Sequence, residues 1–294
     1  MNKKKNTRSI LILLILGLFI ITAAGAYALI SPMSNNGKTN YVYIDADDNV
    51  DSVMNKLRPS SKGISLNVFS ALTTYTGYGE NIRTGRYAVS STTSTLQTFR
   101  NFRNGMQSPI SLVVPSVRTK ERLAEELASH LMLDQEELLD AINDEEICKK
   151  YGMDTLTIQC LFIPNTYDVY WNVSVEKFLD RMKKEYDRFW TAERKNKAEA
   201  IGMRQQEVIT LASIIDEETA NNAEKPMVAG MYINRLKINM PLQADPTIKY
   251  AWRRFDLKRI YHKLLFIDSP YNTYRNTGLP PGPIRIPSIA GIDA

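Results

Sequence analysis

The sequence predicts an α+β chain: one N-terminal membrane helix, a small α/β module over residues 40–135 and a mainly helical domain over 136–294. Three observations carry this expectation. Residues 10–30 hold no charged side chain, strand-like and helix-like patterns alternate between 40 and 135, and beyond 136 apolar residues recur largely at helical spacing. At 294 residues and 44% hydrophobic content the chain can bury one or two cores, so wholesale disorder is excluded.

The stretch ILILLILGLFIITAAGAYALI at 10–30 is long enough, at roughly 1.5 Å per helical residue, to cross a hydrocarbon core of about 30 Å. Lys3, Lys4, Lys5 and Arg8 precede it, and no Lys or Arg follows until Lys38. Residues 1–9 are therefore expected to be a cytoplasmic tail and everything after the helix extracytoplasmic. Ala26-Tyr27-Ala28 resembles a signal-peptidase site, but the apolar run continues through Leu29 and Ile30 and exceeds a signal core of roughly 7–15 residues. Residues 31–39, SPMSNNGKT, read as a polar linker.

In the α/β module, Tyr41–Ile44 and Gly85–Val89 read as strands, and Asp48 or Asn49 can cap a helix with Val50, Val53, Met54 and Leu57 on one face. Thr95–Asn104 is expected to be a short helix. Ser111–Val114 is then a strand and Glu121–His130 a helix, with Leu123, Leu127 and Leu131 aligned. Residues 134–160 are acidic and helical in pattern and read as a spacer; a long helical stretch then runs from a cap at Ser174 toward Lys197.

Net charge is +5, but four of the basic residues lie in the first eight positions and the rest is close to neutral, which argues against a nucleic-acid partner. Cys148 and Cys160 are too few for a disulfide framework or a thiolate metal site, and their spacing leaves open whether they pair. His130 and His262 stand far apart with no metal-binding spacing, so no metal and no cofactor is expected. Carboxylate chemistry remains.

The segment QQEVITLASIIDEET, Gln205 to Thr219, is helical in pattern and ends in three acids. At about 100° per residue, Leu211, Ile214 and Ile215 form one apolar stripe with Glu218 in its middle, while Asp216 and Glu217 point elsewhere and read as a solvated face. Apolar neighbours disfavour the charged carboxylate, so Glu218 is expected to hold its proton near neutrality and to serve as an acid. The competing reading is a solvated helix end.

Three later stretches bear on that choice: LASIIDEET at 211–219, YINRLKINMPLQADPT at 232–247 and SPYNTYRNTGLPPGPIRIPS at 269–288. Together with LFIPNTY at 161–167, they closely resemble the signatures of the endolytic murein transglycosylases of the MltG, or YceG-like, family. The resemblance covers nearly the whole chain. It implies a small LysM-like module, a lysozyme-like catalytic domain and a location in the inner membrane with the catalytic domain periplasmic. The reaction it implies is lytic cleavage of the MurNAc–GlcNAc bond in nascent peptidoglycan strands. One carboxyl protonates the glycosidic oxygen and then takes a proton from the C6 hydroxyl of the same MurNAc, leaving a 1,6-anhydro end.

Carried over by position, Glu218 is the catalytic acid/base, and Asn234, Gln243, Asp245, Tyr271, Asn272 and Tyr274 line the glycan groove. Because the sugar supplies its own nucleophile, the second catalytic carboxylate of conventional glycosidases is not needed. Peptidoglycan, the membrane and possible cell-wall synthases are the implied partners. Asp216 departs from the family's more usual Glu, on a face where little consequence is expected. Relatives also continue past Ala294, so the catalytic domain is expected to extend further. Two other readings stay open: a non-catalytic, membrane-tethered glycan-binding or scaffold protein, and a lysozyme-like hydrolase.

Overall fold

In the computed structural model the backbone is described for residues 2–294 and the side chains from Leu11 onward. The start of the expected tail at Met1 and the side chains of Lys3, Lys4, Lys5 and Arg8 thus lie outside the described residues. Helix α1 (Asn2–Ile30) runs without a break through the stretch expected as a tail into the apolar segment. Leu11–Ile30 is 20 residues long with mean hydropathy 2.5, long and apolar enough to cross a membrane.

The chain divides into two compact units, Met1–Ile110 with Tyr170–Asn172, and Ser111–Val169 with Val173–Ala294. The division falls at 110, whereas the sequence pattern suggested 135. Residues 111–135 make long-range bonds inside the second unit, such as Ile286 N–H to Val117 O (2.8 Å), and periodicity carries no information on such pairing.

In the first unit, β1 (Asn40–Ile44) pairs antiparallel with β2 (Gly85–Val89), Val42 opposite Tyr87. Between them lie α2 (Val50–Leu57) and α3 (Gly63–Thr76), and α4 (Thr95–Asn104) follows β2. Asn49 starts α2 with a reciprocal capping box, its side chain accepting from Ser52 N–H while Ser52 Oγ accepts from Asn49 N–H. Helix α3 has no counterpart in the sequence reading: its Leu66 and Phe69 are buried, but the intervening Ser, Asn and Thr residues blur the apolar stripe. Phe69 packs edge-on against Phe99 and Phe102, and Tyr87 stacks on Phe102 at 4.4 Å.

Residues 31–39 are not a free tether. Met33 is fully buried in this core, its carbonyl accepts from Lys62 N–H (2.9 Å), and Ser31 O accepts from Thr95 N–H (3.0 Å). A single apolar anchor in a polar stretch is invisible to composition.

The second unit contains β3 (Ile110–Val113, entered at the unit boundary), α5 (Lys120–Ala128), α6 (Gln135–Ala141), α7 (Glu145–Lys150), β4 (Thr166–Val169), α8 (Val175–Phe189), α9 (Ala192–Ala200), α10 (Gln205–Glu218), α11 (Lys225–Lys237), α12 (Asp245–Ala251) and α13 (Ile289–Asp293). β3 pairs with β4. The expected spacer at 134–160 is core: Leu138, Ile142, Cys148, Ile158 and Cys160 are fully buried, and both cysteines are free. The long helix expected from Ser174 breaks at Trp190, because Thr191 caps a new helix by accepting from Arg194 N–H.

Candidate active site

Helix α10 is buried on all sides over Ile209–Ile215, not along one stripe only. Leu211, Ile214 and Ile215 pack with Ala229, Tyr232, Leu242, Ala244 and Ile284, and Ser213 Oγ accepts from Ile284 N–H at 3.0 Å. The three acids therefore emerge from the end of a central helix whose position is fixed by surrounding protein.

Each acid has its own environment. Asp216 is not solvated: its side chain is 5% exposed, it pairs with the equally buried Lys225 at 2.7 Å, and it accepts from Ser288 N–H and Oγ–H. A β-carbon at position 291 would collide with that carboxylate, so Gly291 is required where α13 passes. Glu217 is 10% exposed and is bracketed by Arg118, which donates from both Nε and Nη2 (2.8 and 2.9 Å), and by Arg285 Nη1 (2.9 Å). Both corrections have one cause: segments distant in sequence fold over faces that look open in an isolated helix.

Glu218 is the last residue of α10, and its Oε1 accepts from the hydroxyl of buried Tyr232 at 2.8 Å. By surface area Glu218 is exposed, yet protein crowds its carboxyl group enough to raise the pKa. Both hold for a side chain packed on one side and open on the other. Desolvation is the largest cause of the rise; the Tyr232 hydrogen bond opposes it, the negative charge of Asp245 adds to it and Lys249 opposes it. Burial, with the charge of Glu218 beside it, pushes the Tyr232 hydroxyl well above its usual value, so Tyr232 stays a donor. None of the five described concavities is lined by Glu218.

The local sequence explains the pairing of Glu218 with Tyr232. Thr219 leaves helical geometry and its hydroxyl bonds to Glu224 (2.7 Å), closing a short turn. Pro226 then suits the first turn of α11, where a missing N–H costs nothing. Two turns later Tyr232 reaches back to the end of α10.

The loop after α11 is held by Arg235, which donates to Leu242 O at 2.5 Å. Gln243 adopts a left-handed backbone (φ 52°) and is exposed; its N–H bonds to Thr273 O at 3.0 Å. Ala244 N–H bonds to the Thr273 hydroxyl, which also bonds to that of Thr247. This buried threonine fixes the start of α12, where Asp245 accepts from the Tyr274 hydroxyl at 2.5 Å. Burial, then the Asp245 bond, raises the pKa of Tyr274.

Of the six expected groove residues, Asp245 and Tyr274 belong to the electrostatic neighbourhood of Glu218. Gln243 and Asn234 are exposed on the adjoining loop and helix. Asn272 is different: it is fully buried, donates to Leu265 O and Ile267 O (2.9 and 2.8 Å) and accepts from Tyr274 N–H. Its amide is consumed in shaping the loop, so it does not face a ligand. Tyr271 packs on Tyr250 and lines a separate concavity. Sequence reasoning missed Tyr232, Lys225, Ser288, Arg118 and Arg285. Only Tyr232 carried a local signal, a tyrosine on the helix that follows the acids.

The model of the YceG-like family matches residues 42–294. The chain belongs to the YceG-like family. An endolytic murein transglycosylase of Bacillus subtilis (strain 168) is 47% identical over 87 residues, 30% of this chain and 24% of that protein. One from Streptococcus pneumoniae serotype 2 is 26% identical over 262 residues, covering 77% of this chain and 46% of that protein. The chain thus spans about half the length, or less, of these curated relatives. A crystal structure of a putative yceG-like protein from Listeria monocytogenes superimposes with a TM-score of 0.55 at 27% identity, over 87% of this chain and 89% of that one. Its similarity extends the YceG-like assignment from sequence to fold.

Proposed function

We propose that this YceG-like chain is the membrane-anchored part of an endolytic lytic transglycosylase that cleaves MurNAc–GlcNAc bonds in nascent peptidoglycan strands and leaves 1,6-anhydroMurNAc ends. The observation that carries the reading is Glu218: a carboxyl with a raised pKa, open to a ligand on one side and hydrogen-bonded by Tyr232 on the other. With Oε1 accepting from Tyr232, Oε2 is free to carry the proton. That proton passes to the glycosidic oxygen as the C1–O bond breaks; the carboxylate then takes the C6 hydroxyl proton as the C6 oxygen bonds to C1. Protons balance, and no water is consumed.

Asp245, held by Tyr274 and near enough to Glu218 to raise its pKa, is proposed to stabilise the positive sugar of the transition state. Asn234, Gln243, Asp245 and Tyr274 are the residues proposed to contact the strand. An exposed acid, as opposed to one in a closed pocket, fits a long polymer cut internally. The first unit is proposed to be a LysM-like glycan-binding module and the second the lysozyme-like domain. Leu11–Ile30 is proposed to anchor the protein in the inner membrane, with both units outside the cytoplasm.

Digestion of purified glycan strands by the full-length protein, with mass spectrometry of the products, tests the reaction. Anhydro ends, lighter than hydrolysed ends by one water, are expected. Hydrolysed ends would replace the lyase with a muramidase, and uncut strands would leave the scaffold reading.

A further inference from the structure

The concavity that Tyr271 lines, of about 390 Å³, lies in the second unit and is also lined by Lys120, Glu121, Gln159, Tyr250 and Arg253 among others. Its volume is in the range of small-ligand sites. From the pocket's polar groups and its net charge we infer that it binds a carboxylate, and on the peptidoglycan reading above, one borne by the peptide stem of the strand.

The polar groups facing it are mainly donors. Gln159 is 3% exposed, its side-chain amide makes no hydrogen bond among the described residues, and its Nε2 is fully buried without a partner. An unpaired buried amide costs on the order of 1–3 kcal/mol, so its retention calls for a physical reason. Lys120 Nζ donates to Ile142 O, Asn143 Oδ1 and Thr155 O, all neutral oxygens, and has no carboxylate within ion-pair distance among the described residues, though Glu121 and Asp154 act on its charge from further off. Arg253 is half-exposed and only loosely paired with Glu121, at 3.5 Å. Among the charged residues that line the pocket, Lys120 and Arg253 thus face the single carboxylate of Glu121, a lining of net positive charge.

Arg253 also stands in the left-handed backbone region (φ 54°), a conformation that costs a non-glycine residue energy and aims its side chain. The rings of Tyr250 and Tyr271, 4.7 Å apart, supply an apolar wall. The connection to Glu218 is α12, with Asp245 near the acid at its start and Tyr250 in its last turn. About one and a half helical turns therefore separate the acid's neighbourhood from the pocket.

The test is titration calorimetry of the full chain in detergent with a synthetic stem pentapeptide as the free acid and in fully amidated form. The free acid is expected to bind at least tenfold more tightly than the amide. Arg253→Gln and Gln159→Leu should each weaken the free acid about tenfold and leave the amide unchanged. Equal affinity for acid and amide, absence of binding, or unaltered variants would overturn the assignment. Should Gln159→Leu not fold, the exposed Arg253→Gln decides alone. Strand cleavage, measured in parallel on peptide-bearing and peptide-stripped glycan, separates this inference from the reaction. Peptide binding without cleavage removes the transglycosylase reading and leaves the pocket; cleavage without peptide binding does the reverse.

Discussion

At Glu218, packing and chemistry make opposite demands on stability. A carboxyl whose folded pKa lies above its unfolded value favours folding at pH below the unfolded value, 4.5 for an ordinary Glu, and loses that contribution as pH rises through the folded value. Glu218→Gln is therefore expected to raise the melting temperature at neutral pH, with the gain closing as pH falls below about 4.5; calorimetry over pH 3–8 checks this. The same variant should lose roughly 10²–10⁴-fold in strand cleavage, the usual contribution of a general acid, with its circular dichroism unchanged. Retained cleavage would move the chemistry elsewhere. The Tyr232 bond stabilises the charged form, so Tyr232→Phe should raise the Glu218 pKa further and shift the alkaline limb of the activity profile to higher pH. An unshifted limb would reduce Tyr232 to a packing residue.

Among the elements, the pairing of α10 with α11 and α13 matters most. The Asp216–Lys225 bridge joins the first two, and Ser288, the cap of α13, bonds to the same carboxylate. Removing one partner of a buried pair leaves an uncompensated charge, so Lys225→Met is expected to cost about 3–5 kcal/mol, while the double change Asp216→Asn with Lys225→Met should cost clearly less. Urea unfolding of Lys225→Met, Asp216→Asn and the double variant measures the coupling, and additivity would show the bridge to be idle. This buried role also changes the meaning of the departure at position 216. A shorter side chain here sits in a closed network with Lys225, Ser288 and Gly291, where length matters, and not on a water-facing surface.

For the whole molecule, the proposed anchoring by the apolar helix is the property open to a direct test. The full chain is expected to stay with membranes through an alkaline carbonate wash, and a version beginning at Ala26 to be released. Release of the full chain would count against anchoring by Leu11–Ile30. The version beginning at Ala26 keeps Ala28, Ser31 and Met33, which pack in the first unit, and so should retain its folded core.

Local pattern reached far along this chain because several signals were short-range. The strand Gly85–Val89 and the helix Thr95–Asn104 were legible from local pattern, and the apolar span from composition alone. So was Glu218, from its place in the LASIIDEET segment. Contacts between distant residues were not legible. Helical geometry put Asp216 and Glu217 on an open face, but whether that face meets water depends on Lys225, Ser288, Arg118 and Arg285, up to about a hundred residues away. Asn272 looked like a ligand-binding amide until the loop around it used both ends of that amide. Covalent order along the chain marked many of the elements and singled out Glu218 as the candidate acid. Only tertiary packing decided which polar groups are left open, because desolvation and hydrogen-bond satisfaction depend on neighbours in space and not in sequence.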